Sequence, residues 1–304
     1  MEISNVAPRA GMISALTIPT DRDGKIIEAG LKRNMDWLKK SKVDAFLVLG
    51  STGEFPRFST AEKMDILAKT ALINGGEVPL IANCASCDTR ETIELAQFAE
   101  KSGYSGISLM PQYFYPQTQQ DILEYFIYCD SHYDLPTMLY NFPELTGSKI
   151  GIEVVRGFAS RGKMFAIKQS GSEFDYHHEL AEASKEFGFS LFSGFDTRLA
   201  EAFNIGAKGC IGGLVNIVPE YIRAIYEAST GISQDIDVKA LTRRVACVGE
   251  ILGKVSFPNN VHFALKSRGL EAGVPKCRLS KGTMLAGKEI EKILRDKFLE
   301  WGLL

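Results

Sequence analysis

Met164-Phe165-Ala166-Ile167-Lys168-Gln169-Ser170-Gly171 puts a lysine where the local pattern asks for an apolar residue. Residues 164–167 are a short apolar run with the length and texture of a strand covered on both faces. Gln-Ser-Gly after the lysine reads as a turn. A lysine that closes such a strand has two readings. In one, the strand has reached the surface and the ammonium is in water. In the other, the amine sits at the mouth of an apolar barrel, partly desolvated and held as a free base. Lowering a lysine pKa from about 10.4 to about 7 costs the protonated form roughly 4–5 kcal/mol, and an amine tuned in that way attacks a ketone to form a Schiff base. The rest of the chain decides between the two.

Outward from this stretch, one rhythm repeats. Apolar strand-like runs end near Pro19, Leu49, Ala82, Met110, Tyr140, Lys168, Ser193 and Ile211, and an amphipathic helical stretch follows each of the first seven. The spacing of roughly 25–30 residues suits consecutive βα units. Ser59-Thr60-Ala61-Glu62 has the form of a capping box, and Asp88-Thr89-Arg90-Glu91 offers an N-cap aspartate with a glutamate three residues on. Glycines close helices at Asn74-Gly75-Gly76 and Lys101-Ser102-Gly103. The strands are continuous apolar runs without clean alternation, as parallel strands buried on both faces are. Eight of them in a row predict a closed (β/α)8 barrel over residues 1–218. No G-x-G-x-x-G follows the first strand, so a dinucleotide fold lacks its fingerprint. From Pro219 the pattern is helical, with turn signals at Gly231, near Pro258 and between Gly269 and Pro275. Residues 219–304 are read as the last barrel helix and a helical extension in the same folding unit.

A net charge of −2 over 304 residues offers no basic field to nucleic acid or an anionic membrane. The N-terminal Met-Glu-Ile-Ser-Asn-Val-Ala-Pro-Arg lacks the pattern of a signal peptide, and no run approaches a membrane span, so a cytoplasmic protein is expected. Six scattered cysteines read as reduced thiols. Cys84-Ala85-Ser86-Cys87 has neither a second pair for zinc nor a thioredoxin-like context, and reads as loop. The four histidines form no metal-ligand spacing. His177 and His178, adjacent in a helical stretch, point apart.

In a (β/α)8 barrel the chemistry sits on the loops after the strands. After strand 2 comes Gly50-Ser51-Thr52-Gly53-Glu54-Phe55, whose amides and hydroxyls suit an anion. After strand 4 comes the aromatic Pro111-Gln112-Tyr113-Phe114-Tyr115-Pro116, and after strand 5 comes Tyr140-Asn141-Phe142-Pro143-Glu144-Leu145-Thr146-Gly147. Ser193-Gly194-Phe195-Asp196 ends strand 7, and Gly209-Cys210-Ile211-Gly212-Gly213 ends strand 8, where the glycines are read as making room for a substrate.

Gly50-Ser51-Thr52-Gly53-Glu54, Tyr140-Asn141-Phe142-Pro143…Thr146-Gly147 and Ile167-Lys168, in this order and spacing, resemble the dihydrodipicolinate synthase/N-acetylneuraminate lyase family over essentially the whole chain. The resemblance implies a pyruvate-handling class I aldolase, a homotetramer, with no metal or organic cofactor. Carried over by position, Lys168 is the Schiff-base lysine and Tyr140 the phenol beside it that moves protons. Ser51 and Thr52 hold the keto-acid carboxylate. Tyr113, which in the synthase branch reaches across a subunit interface, completes a hydroxyl relay with Ser51 and Tyr140. Gly194, Asp196 and Ile211 are expected along the substrate.

Two departures bear on the substrate. Where the synthase branch pairs an arginine with the aldehyde carboxylate, this chain has Leu145, which forms no salt bridge. Where sialic acid lyases carry an Asp-Glu pair after strand 7, Asp196 is kept but Thr197 follows, and Gly213 replaces a serine. The expectation is therefore cleavage of a 2-keto-3-deoxy sugar acid, or a similar hydroxylated 2-keto acid, to pyruvate and an aldehyde. A condensing synthase or dehydratase on the same Schiff base is the alternative. A barrel that binds a keto acid without turnover is a third reading, against which Lys168 and Tyr140 together argue.

Overall fold

The structure is a computed structural model that describes residues 6–304; the first five residues of the stretch examined for a signal peptide lie outside it. Its strands are β1 (Gly11–Ala15), β2 (Ala45–Val48), β3 (Leu80–Asn83), β4 (Gly106–Leu109), β5 (Thr137–Asn141), β6 (Met164–Gln169), β7 (Ser190–Ser193) and β8 (Gly209–Gly212). All pair in parallel, each with its neighbours in sequence, and β1 pairs with β8 to close the barrel. The fold is the expected (β/α)8 barrel.

Strand periodicity explains the unbroken apolar runs. Residues two apart share a face. Ile13, Ala15, Leu47, Ile81, Met138, Ala166, Phe192 and Ile211 belong to one buried cluster that fills the barrel interior. Their neighbours Met12, Phe46, Val48, Leu139, Ile167 and Leu191 face the helical layer in a second cluster. Both faces are dry, so no polar alternation survives. The first run stops earlier than Pro19: β1 ends at Ala15. The Leu16 amide still donates to the Leu47 carbonyl (2.9 Å), but β2 itself ends at Val48, and beyond it no partner strand remains.

The helices α1 (Glu28–Lys40), α2 (Thr60–Asn74), α3 (Thr89–Lys101), α4 (Gln119–Asp130), the single turn α5 (Pro143–Thr146), α6 (Ile152–Arg161), α7 (Tyr176–Phe187), α8 (Leu199–Ile205) and α9 (Pro219–Ser229) occupy the crossovers and follow β8. In α1 the buried Leu31, Met35 and Leu38 recur at helical spacing. Ser59 and Glu62 form the reciprocal capping box at α2, and Gly75 closes that helix at φ 61°. At α3, Asp88 caps the Arg90 amide, but Glu91 does not reach back; its carboxylate is taken by Lys63 (2.8 Å) and the Ser86 hydroxyl (2.5 Å).

The tail forms α10 (Val238–Leu252), α11 (Asn259–Ser267) and α12 (Lys281–Glu300). α12 buries Ile290, Leu294 and Phe298, each contributing roughly 1.5–3 kcal/mol relative to exposure. α10 packs on α9 and on the turn after β7, and so reaches the rim where the strands end. Among the described residues no helix is long and apolar enough to cross a membrane, and no group of three or more His, Cys, Asp and Glu side chains is placed to hold a metal ion. All six cysteines are free: Cys84 is buried in the loop after β3, where burial pushes its thiol up, and Cys87 is exposed. His177 is buried and His178 exposed, as their adjacency requires.

Candidate active site

Lys168 lies two residues beyond Ala166 on β6, and Tyr140 two beyond Met138 on β5, so both side chains rise from the interior face. The register makes them direct neighbours, Tyr140 opposite Lys168, and the side-chain amide of Asn141 donates to that of Gln169 (2.7 Å) one step further on. Lys168 is only 4% exposed. Its Nζ rests over the face of the Tyr140 ring, 4.0 Å from the centroid. Among the described residues it has no hydrogen-bond or ion-pair partner. A buried lysine is normally paired; this one has only a ring face beside it, so the surface reading of the strand end is excluded.

The Tyr140 hydroxyl shares a hydrogen bond of 3.3 Å with the Ser51 hydroxyl. Ser51 comes from the turn after β2, where Ser51–Gly53 makes a single tight helical turn. Leu49 and Glu54 flank this turn at φ 59° and 63°, a region in which side chains other than glycine are strained. Thr52 is buried on the same turn.

A cavity of about 340 Å³ opens above Lys168, lined by Thr52, Tyr140, Phe142, Ser170, Gly194, Asp196 and Ile211 among others. The structure thus brings together six of the eight residues expected from the sequence: Lys168, Tyr140, Thr52, Gly194, Asp196 and Ile211. Ser51 and Tyr113 line an adjoining cavity instead. Tyr113 is half-buried, edge-on to Phe55 (centroids 5.8 Å apart), and within the chain its hydroxyl bonds neither Ser51 nor Tyr140. Gly194 is needed for space: a Cβ there would stand 2.0 Å from the Ser170 hydroxyl and 3.1 Å from Lys168 Cε.

Asp196 has a divided role. Its Oδ2 accepts from the Leu214 amide (2.9 Å) and so anchors the turn after β8. Its Oδ1 has no hydrogen-bond partner among the described residues. Burial pushes its carboxyl up to about 6, against the pull of the Leu214 amide and the charge of Lys168. The strand-8 glycines, expected to make room for a substrate, make room for protein side chains. A Cβ on Gly212 would lie 1.6 Å from Asp196 Oδ1, and one on Gly213 would lie 3.4 Å from Thr52 Oγ1. Behind Asp196, His177 is buried with Nδ1 2.8 Å from the Phe174 carbonyl, to which it must donate, and Nε2 3.1 Å from the Ser193 hydroxyl. Burial lowers its pKa, so the neutral ring props the end of β7.

Sequence reading missed the contribution of the tail. Gly249 and Leu252 of α10, Phe257, and Asn260 and Val261 of α11 complete the wall of the Lys168 cavity. Asn260 Nδ2 donates to the Leu252 carbonyl (3.2 Å), and its Oδ1 is unpartnered. The local signal is slight: two asparagines follow Pro258, where the sequence carries a turn signal. Ser170, in the Gln-Ser-Gly turn, also lines this cavity.

The profile of the Dihydrodipicolinate synthetase family matches residues 8–294. An N-acetylneuraminate lyase of Clostridium perfringens is 30% identical over 292 residues, covering 93% of this chain and 98% of that protein. A 4-hydroxy-tetrahydrodipicolinate synthase of Methanococcoides burtonii is 28% identical over 267 residues, covering 86% and 89%. Among solved structures, YagE, a prophage protein of the dihydrodipicolinic acid synthase family from E. coli K12 in complex with pyruvate, superposes with a TM-score of 0.88. It covers 98% of this chain and 100% of that one at 23% identity, a likeness of fold.

Proposed function

We propose that this chain, which belongs to the dihydrodipicolinate synthetase family and is a lyase of that family, cleaves a 2-keto-3-deoxy sugar acid or similar hydroxylated 2-keto acid to pyruvate and an aldehyde. The observation that carries the reading is the unpaired amine of Lys168 on the face of Tyr140, whose hydroxyl meets Ser51 at the barrel mouth.

The chemistry follows from that placement. The Lys168 amine adds to the C2 ketone, and the carbinolamine loses water to give an iminium. The C3–C4 bond then breaks: its electron pair moves toward the iminium and leaves an enamine, while the C4 hydroxyl gives up its proton and becomes the aldehyde carbonyl. Tyr140 moves that proton, with the substrate carboxylate beside it as a partner. Protonation of the enamine at C3 and hydrolysis release pyruvate and free Lys168. Because the iminium is the electron sink, the reaction calls for no cofactor. Ser51 and Thr52 hold the carboxylate, and Asp196 and Asn260, which line the Lys168 cavity, are polar groups along the rest of the substrate.

Cleavage is preferred to the synthase reaction because Leu145 stands at the position of the synthase arginine. Phe114 and Tyr115, 81% and 73% exposed beside Tyr113, are apolar surface that a partner chain in a homotetramer covers. Six free thiols suit the cytoplasm. The test is a panel of 2-keto-3-deoxy acids screened for pyruvate release. Activity on at least one of them, lost in Lys168→Arg, is expected; no release from any of them, with condensation observed instead, overturns the cleavage reading.

A further inference from the structure

A second cavity, of about 310 Å³, adjoins the Lys168 cavity, and Phe257 lines both. Its walls are largely apolar, including Phe55, Met110, Tyr113 and Leu145, and Ser51 opens onto it. Two charged side chains line it, Glu54 and Arg57. They do not cancel. Glu54 Oε2 accepts from Arg57 Nη1 (2.5 Å), while its Oε1 lies 3.3 Å from Nζ of Lys276, which also donates to the Ile18 carbonyl (2.7 Å). One carboxylate faces two cations, so the cluster carries a net positive charge. Of the Arg57 guanidinium, only Nη1 has a partner among the described residues. The other N–H groups form the planar fork that carboxylates take in a bidentate fashion.

We propose that Arg57 binds a second carboxylate at the far end of the substrate; this rests on the cleavage reading and makes the substrate a hydroxylated 2-keto diacid whose aldehyde product keeps an acid group. Leu145 lines the same cavity, at the position where the synthase branch carries its arginine. The cation is still present here, but it comes from the loop after β2. Arg57 is exposed at the rim of the cavity, so a carboxylate gains from the bidentate geometry of its fork rather than from exclusion of water. An acid ending in a neutral hydroxymethyl group cannot take both N–H groups of that fork and brings no charge to it.

The test compares two 2-keto-3-deoxy acids of equal chain length, one ending in CH₂OH and one in a carboxylate, through kcat/KM for pyruvate release. The wild type is expected to favour the diacid by about 10- to 10²-fold, the range of a hydrogen bond to a charged group. Arg57→Met brings the ratio near one. Arg57→Lys, which keeps the charge but not the fork, gives an intermediate ratio and serves if the methionine variant does not fold. A wild-type ratio near one, or a ratio unchanged in the variants, overturns the proposal. Borohydride trapping with pyruvate separates the two failures. Equal cleavage of both acids with an adduct on Lys168 removes only the role of Arg57; no cleavage of either acid removes the cleavage reading and this proposal with it.

Discussion

Lys168 and Tyr140 are direct partners across β6 and β5, and the lysine Nζ lies 4.0 Å from the centre of the tyrosine ring. The relationship is set by the backbone. The register holds this pairing, because a slip of one residue in either strand would turn that strand's side chain out of the barrel.

Lys168 is the first point of test. Pyruvate with borohydride is expected to inactivate the protein and leave a reduced adduct on the peptide that contains Lys168. Lys168→Arg is expected to be inactive, because a guanidinium stays protonated and cannot attack. An adduct on another lysine, found by peptide mass analysis, sinks the assignment.

Tyr140→Phe keeps the ring under the amine and removes only the hydroxyl. A proton-transfer role predicts a loss in kcat of about 10²- to 10⁴-fold. A packing role predicts instead the loss of one hydrogen bond to Ser51, about 1 kcal/mol of stability, with little change in rate. Steady-state kinetics and a melting curve on the one variant decide between them.

Asp196 should appear in the pH profile. With its carboxyl raised to about 6, it is charged above that pH and neutral below. The negative charge supports the cationic iminium, so kcat/KM is expected to fall as pH drops through about 6. Asp196→Asn keeps an acceptor for the Leu214 amide and should lose this acid limb, running low and flat. A limb that persists in the variant belongs to another group.

Gly194→Ala places a methyl 2.0 Å from the Ser170 hydroxyl and 3.1 Å from Lys168 Cε. Ser170 can rotate away, but the lysine stem then has less room. We expect a stability cost of about 1–3 kcal/mol, typical of overpacking, and a fall in kcat/KM. A variant that melts as the wild type does and turns over normally would show that the lysine is not held by this contact.

His262 gives a stability prediction away from the chemistry. Burial lowers its pKa to about 4, and its Nδ1 faces the Ala272 carbonyl at 3.2 Å. Between pH 4 and 6.5 the unfolded chain binds a proton that the folded chain refuses, so stability rises with pH through that window and is lost as pH falls. The loss approaches about 3 kcal/mol below pH 4. His262→Asn keeps a donor toward Ala272 without titrating near neutrality, and its melting temperature should decline less on acidification.

The chain order of this protein carried its fold. Eight dry strands, each followed by a helix, leave few arrangements other than a closed parallel barrel, and strand parity then turns Lys168 inward once Ala166 is inside. The motif residues at the strand ends could be named because their order and spacing resemble a known family and because chemistry in such a barrel sits on the loops after the strands. The wall of the site could not. Asn260 and Phe257 share a cavity with Lys168 because α10 packs on α9 and carries the next turn over the barrel mouth, an arrangement that no local period encodes. Arg57 shares a cavity with Leu145 only because the loops after β2 and β5 converge over the barrel. Division of Asp196 between the Leu214 amide and the cavity likewise needed two distant turns to meet. Sequence determines which face a residue takes along its own element; what stands opposite that face is decided by tertiary packing, where the partners are far apart in the chain and meet only when the barrel closes.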